Sequence, residues 1–116
     1  MSDLTALRDA LREFAKERDW DQFHSPKNLA MALAGETGEL IEKFQWMSEE
    51  ESRNLTNNLR QQVGEELADV LLYLVRLADK CDIELLEAAQ QKLQKNRQKY
   101  PVDKVRGSPK KYSDYS

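Results

Sequence analysis

One cysteine, one histidine, three prolines and four glycines in 116 residues rule out several kinds of protein. With Cys81 alone no internal disulfide can form, so the chain is no disulfide scaffold, and a reducing compartment suits it. A lone thiol in an apolar helical run is core filler rather than a nucleophile. The scarcity of proline and glycine, together with almost no runs of β-branched residues, argues against a sheet. No apolar stretch reaches the ~18 residues of a membrane span. Met1 to Leu7 carry Asp3 where a secretory signal needs positive charge followed by an apolar run, so a cytoplasmic protein with no membrane partner is expected. A net charge of −3 supplies no basic field for a nucleic-acid polymer. A small anionic ligand can still bind through a metal.

What the chain does have is charge and a helical period. The hydrophobic fraction is 40% and the charged fraction 34%, which suits amphipathic helices with solvated outer faces. Asp3 can cap a first helix whose Leu4, Leu7, Leu11 and Phe14 share one face and which fades near Arg18. A turn-like segment containing His24, Ser25 and Pro26 follows. A second helix runs from about Asn28 to Met47 with Leu29, Leu33, Leu40, Phe44 and Met47 on one side, interrupted at some cost by Gly35 and Gly38. Ser48 before Glu49, Glu50 and Glu51 reads as a cap with an acidic first turn. The next break is expected within Asn54 to Gln62. From Val63 to Asp79, a stripe of Val63, Leu67, Val70, Leu71, Leu74 and Leu77 predicts a buried central helix. Asp82 is placed to cap a last helix ending at Tyr100 before Pro101. The expected fold is all-α, a four-helix bundle over residues 1–101 with an irregular tail over 102–116. Its apolar stripe exceeds what one small bundle needs, which favours a homo-oligomer.

Four acids do not fit a purely structural reading. Residues three apart on a helix differ by roughly 60° in direction, so Glu36 and Glu39 share a side, as do Glu66 and Asp69. Glu36 falls inside the arc of Leu29, Leu33, Leu40 and Met47, and Glu66 lies between the directions of Val70 and Tyr73. Ionised carboxylates half inside a bundle are costly unless paired or bound to a metal. If the two helices are neighbours, four carboxylates converge, and a divalent cation relieves their repulsion. All-oxygen ligation suits Mg²⁺ or Mn²⁺ and disfavours zinc. The plain alternative has the glutamates facing solvent or pairing with Lys43 and Arg76.

The words around these acids carry a resemblance. Glu17-Arg18-Asp19-Trp20-Asp21-Gln22-Phe23-His24, Gly35-Glu36-Thr37-Gly38-Glu39-Leu40, Phe44-Gln45-Trp46, Glu65-Glu66-Leu67-Ala68-Asp69-Val70-Leu71 and Asn96-Arg97-Gln98-Lys99-Tyr100-Pro101 together resemble the MazG-like nucleotide pyrophosphohydrolases, in their dCTP pyrophosphatase-like branch. The likeness runs from about Leu7 to Tyr112. It implies an all-α enzyme that uses Mg²⁺ to cut dCTP or a modified relative to monophosphate and pyrophosphate, as a tetramer or dimer with sites at protomer contacts. On the same resemblance Glu36, Glu39, Glu66 and Asp69 become metal ligands, and Trp20 and Trp46 line a base pocket. His24, Tyr73, Asn96 and Tyr100 come to lie near the nucleotide, and Lys92, Arg97 or Lys99 near its phosphates. Taken singly, each of the latter reads as packing, capping or a helix end whose cations complement the dipole. Two competing functions remain at this level, a broad-specificity nucleoside triphosphate pyrophosphohydrolase and a noncatalytic helical interaction module. Turnover and its metal dependence separate them.

Overall fold

The structure, a computed structural model, describes residues 3–108. Among these residues every regular element is helical. The chain divides into two compact units at the Ile83–Glu84 junction. In the first are α1 (Leu4–Glu17), a 3₁₀ turn (Asp21–Phe23), α2 (Pro26–Phe44), α3 (Glu49–Arg53) and α4 (Asn57–Lys80). The second contains α5 (Leu85–Lys99) and α6 (Val102–Val105).

Short polar side chains start the helices of the first unit. Asp3 accepts the Ala6 N–H at 2.8 Å, Ser25 the Asn28 N–H at 3.1 Å and Thr56 the Leu59 N–H at 3.2 Å, each satisfying a donor that the first turn leaves open. Ser48 and Glu51 complete a reciprocal capping box on α3. Pro26 occupies the first turn of α2, where its missing N–H costs nothing. α2 then continues unbroken through Gly35 and Gly38.

Two helices end on an aspartate in the left-handed region, Asp19 with φ 55° after α1 and Asp82 with φ 56° after α4. In each case the next residue's N–H reaches back into the last turn, Trp20 to the Ala15 carbonyl and Ile83 to the Ala78 carbonyl, both at 2.9 Å. Asp82 therefore closes α4 and does not cap the following helix, whose N-cap is Glu84. Local αL tolerance of Asp won over its capping preference. Cys81, read from the sequence as core filler, is exposed at the C-cap of α4, where the helix has run past its buried arc.

α4 packs against both α2 and α1. The buried apolar residues are Ala15, Leu29, Val63, Val75 and Ala78, with Leu29 1% exposed. The predicted stripe of α4 is only partly inside: Val63 is buried, whereas Leu67 is 52% exposed, and Leu71 and Leu74 also face outward. Neighbours on two sides bury a narrower arc than the apolar run covers. None of the described helices is long and apolar enough to cross a membrane.

In the second unit, α5 carries Arg97 and Lys99 in its last turn and stops at Tyr100, where Pro101 disfavours a helical predecessor. Residues 102–108, expected to be irregular, include the short helix α6, whose Val105 N–H bonds the Pro101 carbonyl at 3.1 Å. The rest of the expected tail, 109–116, lies outside the described residues.

Candidate metal centre and adjoining pocket

Packing α4 against α2 brings the two acidic pairs together. One carboxylate oxygen from each of Glu36, Glu39, Glu66 and Asp69 lies within 4.8 Å of the others. Glu36 and Glu66 are half-buried, while Glu39 and Asp69 stand at the exposed side. The Oε2 atoms of Glu36 and Glu66 are buried with no hydrogen-bond partner. The two cations that the sequence offered as their partners are engaged elsewhere. Lys43 donates to Gln62 at 3.2 Å, and Arg76 serves Asp21 and His24.

The electrostatics follow from this crowding. Glu36 is held above the ordinary carboxylate value, first by the hydrogen bond its protonated form makes with Glu39, then by burial and the charges of Glu39, Asp69 and Glu66. Glu66 is also raised, by burial first and then by the charge of Glu39, with Lys43 opposing in part. With two buried oxygens lacking partners, this all-carboxylate set could hold a metal ion, and its oxygen donors suit a hard divalent cation.

α4 extends the same side beyond the acids. From Asp69, positions four and seven further on are Tyr73 and Arg76, and these line a pocket of about 190 Å³ with Leu11, Phe14, Trp20 and His24. Asp69 lines it too, so one carboxylate borders both the cluster and the pocket. The left-handed Asp19 turns the chain back over α1 and sets Trp20 edge-on against Phe14, with ring centroids 5.7 Å apart and planes at 71°. His24 follows after the 3₁₀ turn, its ring 6.4 Å from that of Trp20.

Behind the pocket lies a network absent from the sequence reading. The Arg76 side chain, 6% exposed, donates Nη2 to Asp21 Oδ1 at 2.5 Å and Nε to His24 Nδ1 at 3.1 Å. Lys80 adds a second cation to Asp21. Asp21 is held below the usual carboxylate range by the hydrogen bonds from Lys80 and Arg76. His24 is held below its ordinary value, by burial first and then by the charge of Arg76, with Asp21 opposing and Lys80 assisting.

Of the candidate residues, Trp20, His24 and Tyr73 thus meet Asp69 at one pocket. Trp46 does not line it: this residue is 89% exposed, just past the end of α2. Lys92, Asn96, Arg97 and Tyr100 stand in the second unit, Lys92, Asn96 and Arg97 on α5 and Tyr100 at its C-cap. Lys92 and Arg97 are exposed, and Asn96 and Tyr100 are half-buried. Only the 3.6-residue spacing of Asp69, Tyr73 and Arg76 could have signalled Arg76, since its partners Asp21 and His24 are more than 50 residues away in sequence.

The chain is similar to known proteins over most of its length. The sequence profile of the MazG-like family matches residues 32–115. The dCTP pyrophosphatase 1 of Mus musculus is 50% identical over 113 residues, covering 96% of this chain and 66% of that protein. The Homo sapiens protein of the same name is 45% identical with the same coverage. The chain therefore spans just under two thirds of the length of these relatives. A pyrophosphatase from Archaeoglobus fulgidus, known from a crystal structure, superposes with a TM-score of 0.78 at 44% identity, over 84% of this chain and 91% of the other.

Proposed function

This chain belongs to the MazG-like family, and from that footing we propose that it hydrolyses a pyrimidine deoxynucleoside triphosphate, dCTP or a modified dCTP, to the monophosphate and pyrophosphate. The observation that carries this reading is the convergence of Glu36, Glu39, Glu66 and Asp69 beside a pocket bordered by Asp69 itself. The relatives named dCTP pyrophosphatase 1 support the choice of base. We take residues 1–101 as the catalytic domain, 102–116 as a tail and the cytoplasm as its location.

Glu36, Glu39, Glu66 and Asp69 hold Mg²⁺, or Mn²⁺ in its place; the ion, when bound, neutralises phosphate charge and lowers the pKa of a coordinated water. The chain's own groups do the positioning. The Oε2 atoms of Glu36 and Glu66, buried without a hydrogen-bond partner, are the groups whose charge such an ion would balance. Asp69, which belongs to the acidic cluster and also lines the pocket, would join the metal site to the substrate pocket. Trp20 offers a π face to the base, Phe14 packs edge-on against the indole, and Tyr73 lines the pocket from α4. On the family resemblance alone, Asn96 and Tyr100 are assigned to the nucleotide and Lys92 and Arg97 to its phosphates. No side-chain nucleophile is required.

The assembly is a homotetramer, supported by the exposed apolar side chains Met31, Ile41, Trp46, Leu67, Leu71 and Leu74 of the first unit. Trp46 reaches a base pocket from a neighbouring copy. Turnover of purified protein with Mg²⁺ against the common and modified deoxynucleoside triphosphates, with products identified, tests the reading. Equal rates on all bases would instead support a broad-specificity enzyme, and no metal-dependent turnover would support an interaction module.

A further inference from the structure

His24 is the chain's one histidine, and its ring nitrogens are not equivalent. Nδ1 faces the Nε–H of Arg76 at 3.1 Å. A guanidinium has five N–H donors, no acceptor, and keeps its proton at any pH a protein survives. The nitrogen it faces must therefore accept, so Nδ1 carries no hydrogen. A neutral imidazole with Nδ1 bare carries its hydrogen on Nε2. Nε2 has no hydrogen-bond partner among the described residues and is the ring nitrogen left to a ligand in the pocket that His24 lines.

The arrangement around Arg76 is fixed enough to enforce this choice. Its side chain is buried, its Nη2 is held by Asp21, its Nη1 lies 3.7 Å from Asp79, and Asp79 is anchored in turn by Arg12. The 3₁₀ turn and α4 thus meet at one guanidinium, and α1 is tied to them through Asp79. Asp21 is occupied by Arg76 and Lys80, so it is not turned to His24 as the acceptor that would pull a proton onto Nδ1. Arg76, Lys80 and Asp21 are the charged groups that act on the ring.

We propose that Arg76 is a positioning residue for base recognition: it locks His24 as the neutral Nε2–H tautomer, so that the pocket presents a hydrogen-bond donor that selects a base with an acceptor at the matching edge. Cytosine offers an unprotonated ring nitrogen and a keto oxygen, whereas uracil and thymine carry a hydrogen on the corresponding ring nitrogen. A donor at His24 aimed at that atom therefore favours cytosine, and a bare nitrogen there would favour the other two. This deepens the pyrimidine triphosphate reading and rests on it.

With a single histidine, the tautomer is readable without assignment. Long-range ¹H–¹⁵N spectra of the ¹⁵N-labelled, ligand-free full chain at neutral pH are expected to show Nδ1 as the bare, pyridine-type nitrogen and Nε2 as the protonated one. Arg76→Lys, which keeps a positive charge for Asp21 but loses the guanidinium fork and with it the Nε–H donor aimed at His24, is expected to give a mixture of tautomers. The same variant should raise KM for dCTP about tenfold while kcat changes little, as expected when one hydrogen bond used in binding is lost. His24→Gln, whose amide nitrogen can stand near the Nε2 position, should retain part of the preference for dCTP over dUTP and be nearly insensitive to Arg76→Lys. A protonated Nδ1 in the wild-type spectrum would overturn the proposal whatever the activity, and so would equal sensitivity to Arg76→Lys in the wild-type and His24→Gln backgrounds. Should Arg76→Lys not fold, the wild-type spectrum still decides. Failure of every triphosphate to turn over, with the Nε2–H tautomer intact, would refute the enzymatic reading while leaving the tautomer lock in place.

Discussion

Arg12 on α1 and Asp79 on α4 form a two-pronged pair, Nε to Oδ2 at 2.7 Å and Nη2 to Oδ1 at 2.5 Å. The pair is charge-assisted and fixed in geometry, and its carboxylate end is largely shielded from water while the guanidinium is half exposed. Asp79 is held below its ordinary value of 3.8, chiefly by the hydrogen bond with Arg12. A carboxylate whose folded pKa is depressed contributes stability above its unfolded pKa, and that stability is lost as pH falls through the folded value.

Asp79→Asn should therefore melt below wild type by a constant margin from about pH 5 upward, and the margin should shrink as the pH drops below about 4. Thermal melts across this range in EDTA check it. A margin that widened toward acid would contradict the role given to this pair.

The metal-free cluster is expected to be strained. Removing one acid by Glu66→Gln should raise the melting temperature in EDTA, because the buried Oε2 then no longer bears part of an uncompensated charge. The order should reverse with Mg²⁺. At a concentration roughly one hundredfold above its dissociation constant, the ion stabilises wild type by about 2.7 kcal/mol. Glu66→Gln should lose most of that gain, and calorimetry with and without the ion measures both signs.

The two tryptophans should separate. Trp20→Ala removes a ring that is 45% exposed and packed on Phe14, so it should both lower stability and raise KM for dCTP, the latter by the ~1–3 kcal/mol of a stacked base. Trp46→Ala, at an almost fully exposed position, should change the stability of the dissociated chain by no more than ~0.5 kcal/mol. Its effect on KM should appear only in the oligomer. Kinetics at protein concentrations above and below dissociation distinguish the two.

Legibility in the sequence was uneven for physical reasons. The helix starts at Asp3 and Ser48 and the acid pairs at Glu36 and Glu66 depend on spacings of three or four residues, which a linear reading captures. By contrast, α2 starts at Pro26, capped by Ser25, ahead of the expected Asn28. That the pairs converge was conditional on α2 and α4 being neighbours, and only packing decided it. Arg76 was weighed as a partner for the glutamates, yet Asp21 and His24 hold it instead, through contacts set by the left-handed turn at Asp19. The exposure of Leu67 and Trp46 was equally invisible, because periodicity states which residues share a face and not whether another surface covers that face.

Ile41→Lys and Leu74→Lys place charge on exposed apolar positions of α2 and α4. If these faces are covered by other copies of the chain, light scattering should show a tetramer for wild type and smaller species for the variants. A monomeric wild type with full activity would remove the role assigned to a neighbouring copy.

The most direct measurement is product analysis of dCTP incubated with Mg²⁺ and wild type, Glu39→Gln or Asp69→Asn. Wild type should release dCMP and pyrophosphate in equal amounts and stop in EDTA. Each variant should stay helical by circular dichroism and lose roughly 10²–10³-fold or more in rate, as when one preorganised charged group is removed from a transition state. Wild-type rates in both variants, or release of inorganic phosphate in place of pyrophosphate, would contradict the four-carboxylate assignment or the reaction itself.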